Sequence, residues 1–182
     1  MDRCAECCRR FLDGDENAAG EIMNELFFGL VFFIDRYVHD VYAAEDIAMD
    51  VMADLFSRKR RYDQRASLKT YVYMLGKSRA LDHLRRGRVL KICPIDDAEG
   101  EAERGELEER VLAGERKRAV SAALFKLPAD MRAAVHLVYF EGMTYAEAAK
   151  VMKKSVKQVD NLLFRAKKEL YALLGEEGRE LI

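Results

Sequence analysis

Thr144-Tyr145-Ala146-Glu147 and, eleven residues further on, Ser155-Val156-Lys157-Gln158 decide how this chain folds. Each pairs a hydroxyl residue with Glu or Gln three positions later. In that arrangement the hydroxyl accepts from the third residue's N–H and the long polar side chain returns to the cap's own N–H, which starts a helix. Two starts so close leave room for one helix of about two turns, a tight turn at Lys153-Lys154, and a longer helix to about residue 173. Ala149 supplies a small side chain where the two helices must approach. Val156, Val159, Leu163, Ala166 and Leu170 recur at helical spacing and predict a buried face, which leaves Lys157, Gln158, Asn161, Arg165 and Lys168 on the other side. A helix-turn-helix needs this chemistry on its second helix: Gln and Asn suit adenine edges, Lys and Arg suit guanine or phosphate. With Lys154 and Ser155 at the turn, these are the candidate DNA-binding residues. An antiparallel helix hairpin with a solvated polar face is the plainer alternative.

Outward from that motif the pattern stays helical, and the fold class is all-α. A short first helix ends at Phe11-Leu12, and Asp13-Gly14-Asp15 is a turn with Asp15 as N-cap. Ile22, Leu26, Leu30, Phe33 and Tyr37 mark the apolar face of a second helix, and Ile47, Val51 and Leu55 that of a third over 44–56. Residues 58–67 show no apolar period and read as a basic loop. Helix resumes over 68–86 with Val72, Leu75, Leu81 and Leu84 on one face. Gly87, Pro94, Gly100 and Gly105, set among acids, break the pattern. Helices over 111–125 and 129–140, parted by Leu127-Pro128, lead back to the motif. The expected organisation is two small helical domains, 8–88 and 112–176, joined by an acidic linker over 89–111.

A net charge of −1 conceals segregation. Residues 1–56 carry thirteen acids against four bases, and residues 57–91 carry twelve bases against two acids. Residues 93–109 then carry eight acids and one base, and residues 144–170 seven bases and three acids. A basic block in each half, each beside an acidic one, points to two nucleic-acid surfaces and a further surface for another partner. No nucleophile–base–acid set or phosphate-binding glycine loop stands out, so an enzyme is not expected, nor a cofactor. Cys4, Cys7 and Cys8 resemble half of a zinc site, but nothing at a suitable distance completes it; they read as thiols in a reducing compartment, with no metal. The sequence shows no signal peptide and no run of eighteen apolar residues, so a cytoplasmic protein without membrane insertion is expected.

Leu127-Pro128, Val138 through Tyr145, Ser155-Val156 and Arg165-Ala166-Lys167-Lys168 closely resemble region 4 of bacterial RNA polymerase sigma factors. Independently, Ala44 through Val51 resembles the polymerase-binding helix of their region 2, and Ser67 through Tyr71 with Ala80 through Arg86 resembles the helix that engages the melted promoter. With only these two regions, the chain is similar to the extracytoplasmic-function (ECF) branch. The resemblance implies that Glu45, Asp46, Ile47 and Asp50 dock on the β′ clamp helices, the carboxylates making the contact. It implies that the loop holding Arg61, Tyr62, Asp63, Gln64, Arg65 and Ser67 captures a flipped base of the −10 element. Lys69, Lys77, Arg79, Arg85, Arg86 and Arg88 would hold that strand's backbone, with Tyr71 and Tyr73 as stacking platforms or core. Lys154, Ser155, Lys157, Gln158, Asn161, Arg165 and Lys168 would bind the −35 element. The partners implied are core RNA polymerase through its β and β′ subunits and promoter DNA, with room for an anti-sigma factor. Asp96, Asp97, Glu99, Glu101 and Glu103 would thread the nucleic-acid channel of the polymerase, or form a plain solvated linker.

The chain departs from the family's pattern at four places. Lys153 stands where the turn usually has glycine, Met49-Asp50 where Gln-Glu is common, and Tyr71 at a Trp-like position. Asp160-Asn161-Leu162 replaces Lys-Ser-Arg, which removes two positive charges and adds one negative. A stand-alone helix-turn-helix regulator, dimeric on palindromic sites, is the other function the residues allow.

Overall fold

The computed structural model describes residues 3–57, 62–90 and 115–174. All regular structure among them is helical: α1 (Arg3–Leu12), α2 (Glu16–Val38), α3 (Val41–Ser57), α4 (Leu68–Leu90), α5 (Glu115–Lys126), α6 (Ala129–Val135) running on as a π-helical turn (His136–Phe140), α7 (Tyr145–Met152) and α8 (Val156–Leu174). The chain divides into two compact units, the first built on α1–α4 together with Lys150–Lys153 at the end of α7, and the second on the remainder of α5–α8. The expected tether falls largely on residues 91–114, outside the described residues.

In the first unit α2 is the central helix, packed against α1, α3 and α4. Ile22, Leu26, Leu30, Val31, Phe33 and Ile34 are buried along it, and Val51, Met52, Val72 and Tyr73 close on them from α3 and α4. Asn17–Val38 is long and apolar enough by length and composition to cross a bilayer, although Glu21, Asn24, Glu25, Asp35 and Arg36 interrupt its apolar run. Here that apolar surface is spent on the core of the bundle. Close approach of α4 to α2 depends on Gly76: a β-carbon there would lie 2.7 Å from Leu30 Cδ1.

The joints are local and polar. At the end of α1, Asp15 N–H reaches Arg10 O and Gly14 N–H reaches Phe11 O, with Gly14 at φ 101°. The Asp15 carboxylate then caps α2 by accepting from Asn17 N–H. Arg10 ties the two helices, pairing with Asp15 at 2.6 Å and Glu21 at 2.9 Å. The Arg10 guanidinium holds the Asp15 carboxyl below its ordinary range, with help from the N–H groups of α2. At the α2–α3 joint His39 adopts φ 57°, its N–H returning to Asp35 O, and Asp40 Oδ1 accepts from Ala43 N–H to begin α3. The buried Cys7 thiol donates to Glu21 Oε2 at 3.2 Å. Burial pushes the Cys8 thiol up, and a hydrogen bond with Tyr62 partly offsets it.

One boundary differs from the sequence expectation. Gly87 lies inside α4, which runs to Leu90, rather than opening the linker. A helical glycine costs roughly 1 kcal/mol relative to alanine, too little to end a helix whose neighbouring residues continue it.

In the second unit Val159, Leu163, Ala166 and Leu170 of α8 are buried, and α8 packs against α5 and α6. Leu127, Met131, Ala133, Ala134 and Leu137 fill the other side of that core. Arg132 is buried with them, donating to Phe125 O at 3.1 Å and so satisfying a carbonyl at the end of α5. The π-helical turn closes through Glu141 N–H to His136 O, and Gly142 at φ 65° lets the chain leave.

Candidate nucleic-acid interface

Both capping boxes form. Thr144 N–H donates to Glu147 Oε2 at 3.0 Å, and Glu147 N–H to Thr144 Oγ1 at 3.3 Å. Ser155 N–H donates to Gln158 Oε1 at 2.7 Å, and Gln158 N–H to Ser155 Oγ at 3.2 Å. Between them α7 ends in paired bonds, Lys154 N–H to Ala149 O and Lys153 N–H to Lys150 O, with Lys153 left-handed at φ 54°. The turn is therefore closed by backbone bonds around a lysine in a glycine's place. Ala148 and Ala149 are buried where the helices meet.

Lys157, Gln158, Asn161, Arg165 and Lys168 all lie exposed along α8, and Ser155 is exposed at its cap. Lys154 is partly withdrawn: it pairs with Asp130 at 2.9 Å and steadies the turn against the start of α6. Val156 departs from expectation, being 48% exposed. It shares the angular face of Val159 and Leu163, but in the first turn of α8 no neighbouring element covers it. Phe164 was missed by the reading of the sequence and is 72% exposed. The signal was present in the spacing: Lys157, Asn161, Phe164 and Lys168 follow an i, i+4, i+7, i+11 stripe, so the ring stands among the polar readers. Phenylalanine there offers an apolar contact for a thymine methyl.

In the first unit the loop before α4 is described from Tyr62 on, and Arg61 lies outside the described residues. Tyr62 is buried, contrary to its expected role as an exposed stacking ring. Its hydroxyl donates to Ala66 O at 2.6 Å and its ring lies 5.2 Å from that of Tyr71. Asp63 folds the loop, accepting from Arg65 N–H at 3.2 Å and pairing with its guanidinium at 3.3 Å. Gln64 sits at φ 59° between them, and Asp63, Gln64 and Arg65 are exposed. Ser67 spends its hydroxyl on the start of α4, accepting from Thr70 N–H and sharing a hydrogen bond with the Thr70 hydroxyl.

The bases of α4 do not form one equivalent row. Lys69 is half-buried and Arg86 exposed, while Arg85 pairs with Asp82 at 2.8 Å. Lys77 is buried rather than open to a DNA backbone, with its ammonium 5.8 Å from the Tyr37 ring centroid. Arg79 turns toward α3, 2.6 Å from Asp54 and 3.7 Å from Asp50. The side chain of Arg88 lies outside the described residues. Tyr73 is fully buried, so of the two tyrosines only the half-buried Tyr71 reaches the surface.

On α3, Asp46 and Asp50 are exposed and Glu45 half-buried, whereas Ile47 is only 8% exposed and belongs to the core. The apolar groups on the outer face are Tyr42 and Met49, which spacing places in one stripe with Asp46 and Asp50. Among the described residues no group of three or more His, Cys, Asp or Glu side chains is placed to hold a metal.

Two family models match this geometry in chain order: Sigma-70 region 2 over residues 29–89 and Sigma-70, region 4 over residues 117–170. The chain is 26% identical to the RNA polymerase sigma-H factor of Pseudomonas aeruginosa over 92% of its own length and 91% of that protein's. It is 27% identical to the ECF RNA polymerase sigma factor SigM of Mycobacterium tuberculosis, over 72% of this chain and 64% of that one. The solved structure of CnrH in complex with the cytosolic domain of CnrY shares the fold, with a TM-score of 0.65 at 22% identity, covering 95% of this chain and 97% of that one. The chain thus belongs to the sigma-70 family of RNA polymerase sigma factors, whose members bind core polymerase and promoter DNA. Within that family it is an ECF sigma factor, a subunit for transcription initiation.

Proposed function

We propose that this ECF sigma factor divides promoter recognition between its two units. The second unit reads the −35 element in the major groove with α8. The first engages the −10 element with the loop at residues 62–67 and the exposed bases of α4. The outer face of α3, with Asp46 and Asp50 flanked by Tyr42 and Met49, docks on the β′ subunit of core polymerase.

The observation that carries this reading is the two-sidedness of α8. Four buried apolar residues fix one face against α5 and α6, while Lys157, Gln158, Asn161, Phe164, Arg165 and Lys168 stand exposed on the remaining surface. The first unit supports it with a folded loop that holds three polar side chains outward, and cationic groups one helix away. Arg79, tied to two aspartates, serves the α3–α4 joint in this reading. The protein acts in the cytoplasm, where core polymerase and the chromosome are.

Run-off transcription tests this directly. Core polymerase plus this protein should initiate from a subset of promoters that core alone ignores, and the protein alone should bind the same DNA weakly. A palindromic footprint without polymerase, together with no initiation from any promoter of the source genome, would overturn the reading.

A further inference from the structure

Gln158 and Asn161 stand one turn apart on the exposed face of α8 and carry the same functional group, yet they are not chemically equivalent. Ser155 N–H points into the Gln158 side chain at 2.7 Å, and a backbone N–H can only donate. The atom facing it must therefore be the amide oxygen, which fixes the orientation of the Gln158 amide. Reciprocally, Gln158 N–H is held by Ser155 Oγ, which anchors the stem of the same side chain. The oxygen keeps a second lone pair, but the bond to Ser155 sets its direction, and the NH2 group with its two donors is the part left unengaged. The Asn161 side chain makes no hydrogen bond among the described residues and keeps both its oxygen and its NH2 group available.

We propose that the Ser155 capping box makes Gln158 read the promoter as a donor, which selects against cytosine at the base it faces instead of selecting for adenine. The pairing of Gln with adenine needs the amide oxygen to accept from the N6 amino group while the NH2 group donates to N7. With the oxygen already accepting from Ser155 N–H and its remaining lone pair fixed in direction by that bond, the bond from the NH2 group to N7 is the one that stays freely available. Guanine N7 and O6, thymine O4 and adenine N7 all accept from an NH2 group; cytosine presents only an N4 donor in the major groove. Asn161 is free to make the full two-bond contact to adenine. Two positions one turn apart on the recognition helix therefore differ in stringency, one excluding a single base and the other specifying one. The inference rests on the proposed −35 reading and deepens it.

The test uses polymerase holoenzyme assembled with the full chain and duplexes randomised through the upstream promoter region. The variant is Gln158→Glu. Glutamate at this position still accepts from Ser155 N–H and completes the commoner form of the box, so the helix start is preserved, but its outward edge only accepts. The upstream position whose preference changes between wild type and Gln158→Glu is then measured with each base, and with an adenine analogue lacking the 6-amino group. For the wild type, cytosine should be disfavoured by about fivefold, the size of one lost neutral hydrogen bond. The other three bases should lie close together, and removal of the 6-amino group should change binding less than twofold. Gln158→Glu should turn the same position toward cytosine. The position altered by Asn161→Ala should, by contrast, lose about tenfold on removal of the 6-amino group. If the wild type prefers adenine at the Gln158 position and loses tenfold without the 6-amino group, the amide is unconstrained and the inference fails. If Gln158→Glu weakens all sequences equally, Gln158 reads no base and the inference fails as well. If neither Asn161→Ala nor Arg165→Ala affects upstream binding, the −35 assignment itself falls, a result distinct from the other two.

Discussion

Replacing Lys153 by glycine should stabilise the second unit, because the turn between α7 and α8 holds a lysine at φ 54°. An L-residue in the left-handed region pays about 1–2 kcal/mol through contact of its β-carbon with the following carbonyl. Glycine avoids that contact but has a more flexible unfolded chain, which costs about 0.4–1 kcal/mol. The two backbone bonds of the turn, at 3.2 Å and 3.0 Å, do not involve the side chain and should persist. The Lys153 side chain is exposed, so losing its charge adds little to folding. The difference leaves a net gain of about 0.5–1 kcal/mol, or a rise of several degrees in Tm for a unit of this size. Hydrogen exchange of the full-length protein reads it best, since protection of α8 amides reports this unit separately from α1–α4. Lys153→Ala is the control: it removes the same charge and long side chain but keeps the β-carbon. If Lys153→Ala slows exchange as much as Lys153→Gly, the backbone argument is wrong and the lysine side chain is the cause. If neither variant slows exchange, the left-handed turn is not a source of strain.

Three further outcomes are expected. Gly76→Val should destabilise the first unit by about 2 kcal/mol in urea denaturation, since its β-carbon meets buried Leu30 at 2.7 Å and a branched side chain worsens the overlap. Gly76→Ala should be milder, because the gain of about 1 kcal/mol in helix propensity offsets part of the clash. Arg165→Ala should reduce the slope of log K against log salt by about 1 for holoenzyme binding to upstream promoter DNA, and an unchanged slope would remove Arg165 from the phosphate contacts. The Asp15 carboxyl is lowered in the folded state, chiefly by Arg10, so its contribution to stability is present above the unfolded aspartate range and disappears as pH falls through the lower folded value. Asp15→Asn should flatten the acid limb of a stability–pH profile there, and a wild-type profile already flat in that range would refute the linkage.

What was legible in the sequence was what is decided locally. Thr144, Ser155 and Asp15 could be placed as caps because a cap's partners lie within a few residues, and the tight turn at Lys153-Lys154 followed from the space between two helix starts. Burial needed more than periodicity. Val156 has the right angle on α8 but no neighbour to cover it, and Phe164 is exposed because its angle belongs to the polar face. The resemblance sets Tyr62 in a base-capturing loop as a stacking ring; its ring instead packs beside Tyr71, and its hydroxyl finds Ala66 O. The bases of α4 all read alike in one dimension. Whether one meets solvent, a ring or an acid depends on α2 and α3, so Lys77 and Arg79 could be sorted from Arg86 only with the packed helices in view.

Arg79 has a consequence for how α3 can meet a partner. Its two aspartates are unequal: Asp54 is close and three-quarters shielded, while Asp50 is distant and mostly open to water. An exposed pair like the second contributes at most about 1 kcal/mol, so a cation from another molecule can take Asp50 over at little expense to the bundle. Asp54 keeps hold of the guanidinium meanwhile, and the joint between α3 and α4 does not loosen when the outer carboxylate changes hands. The fold thereby separates the acid that builds the surface from the acid that is free to be exchanged across it.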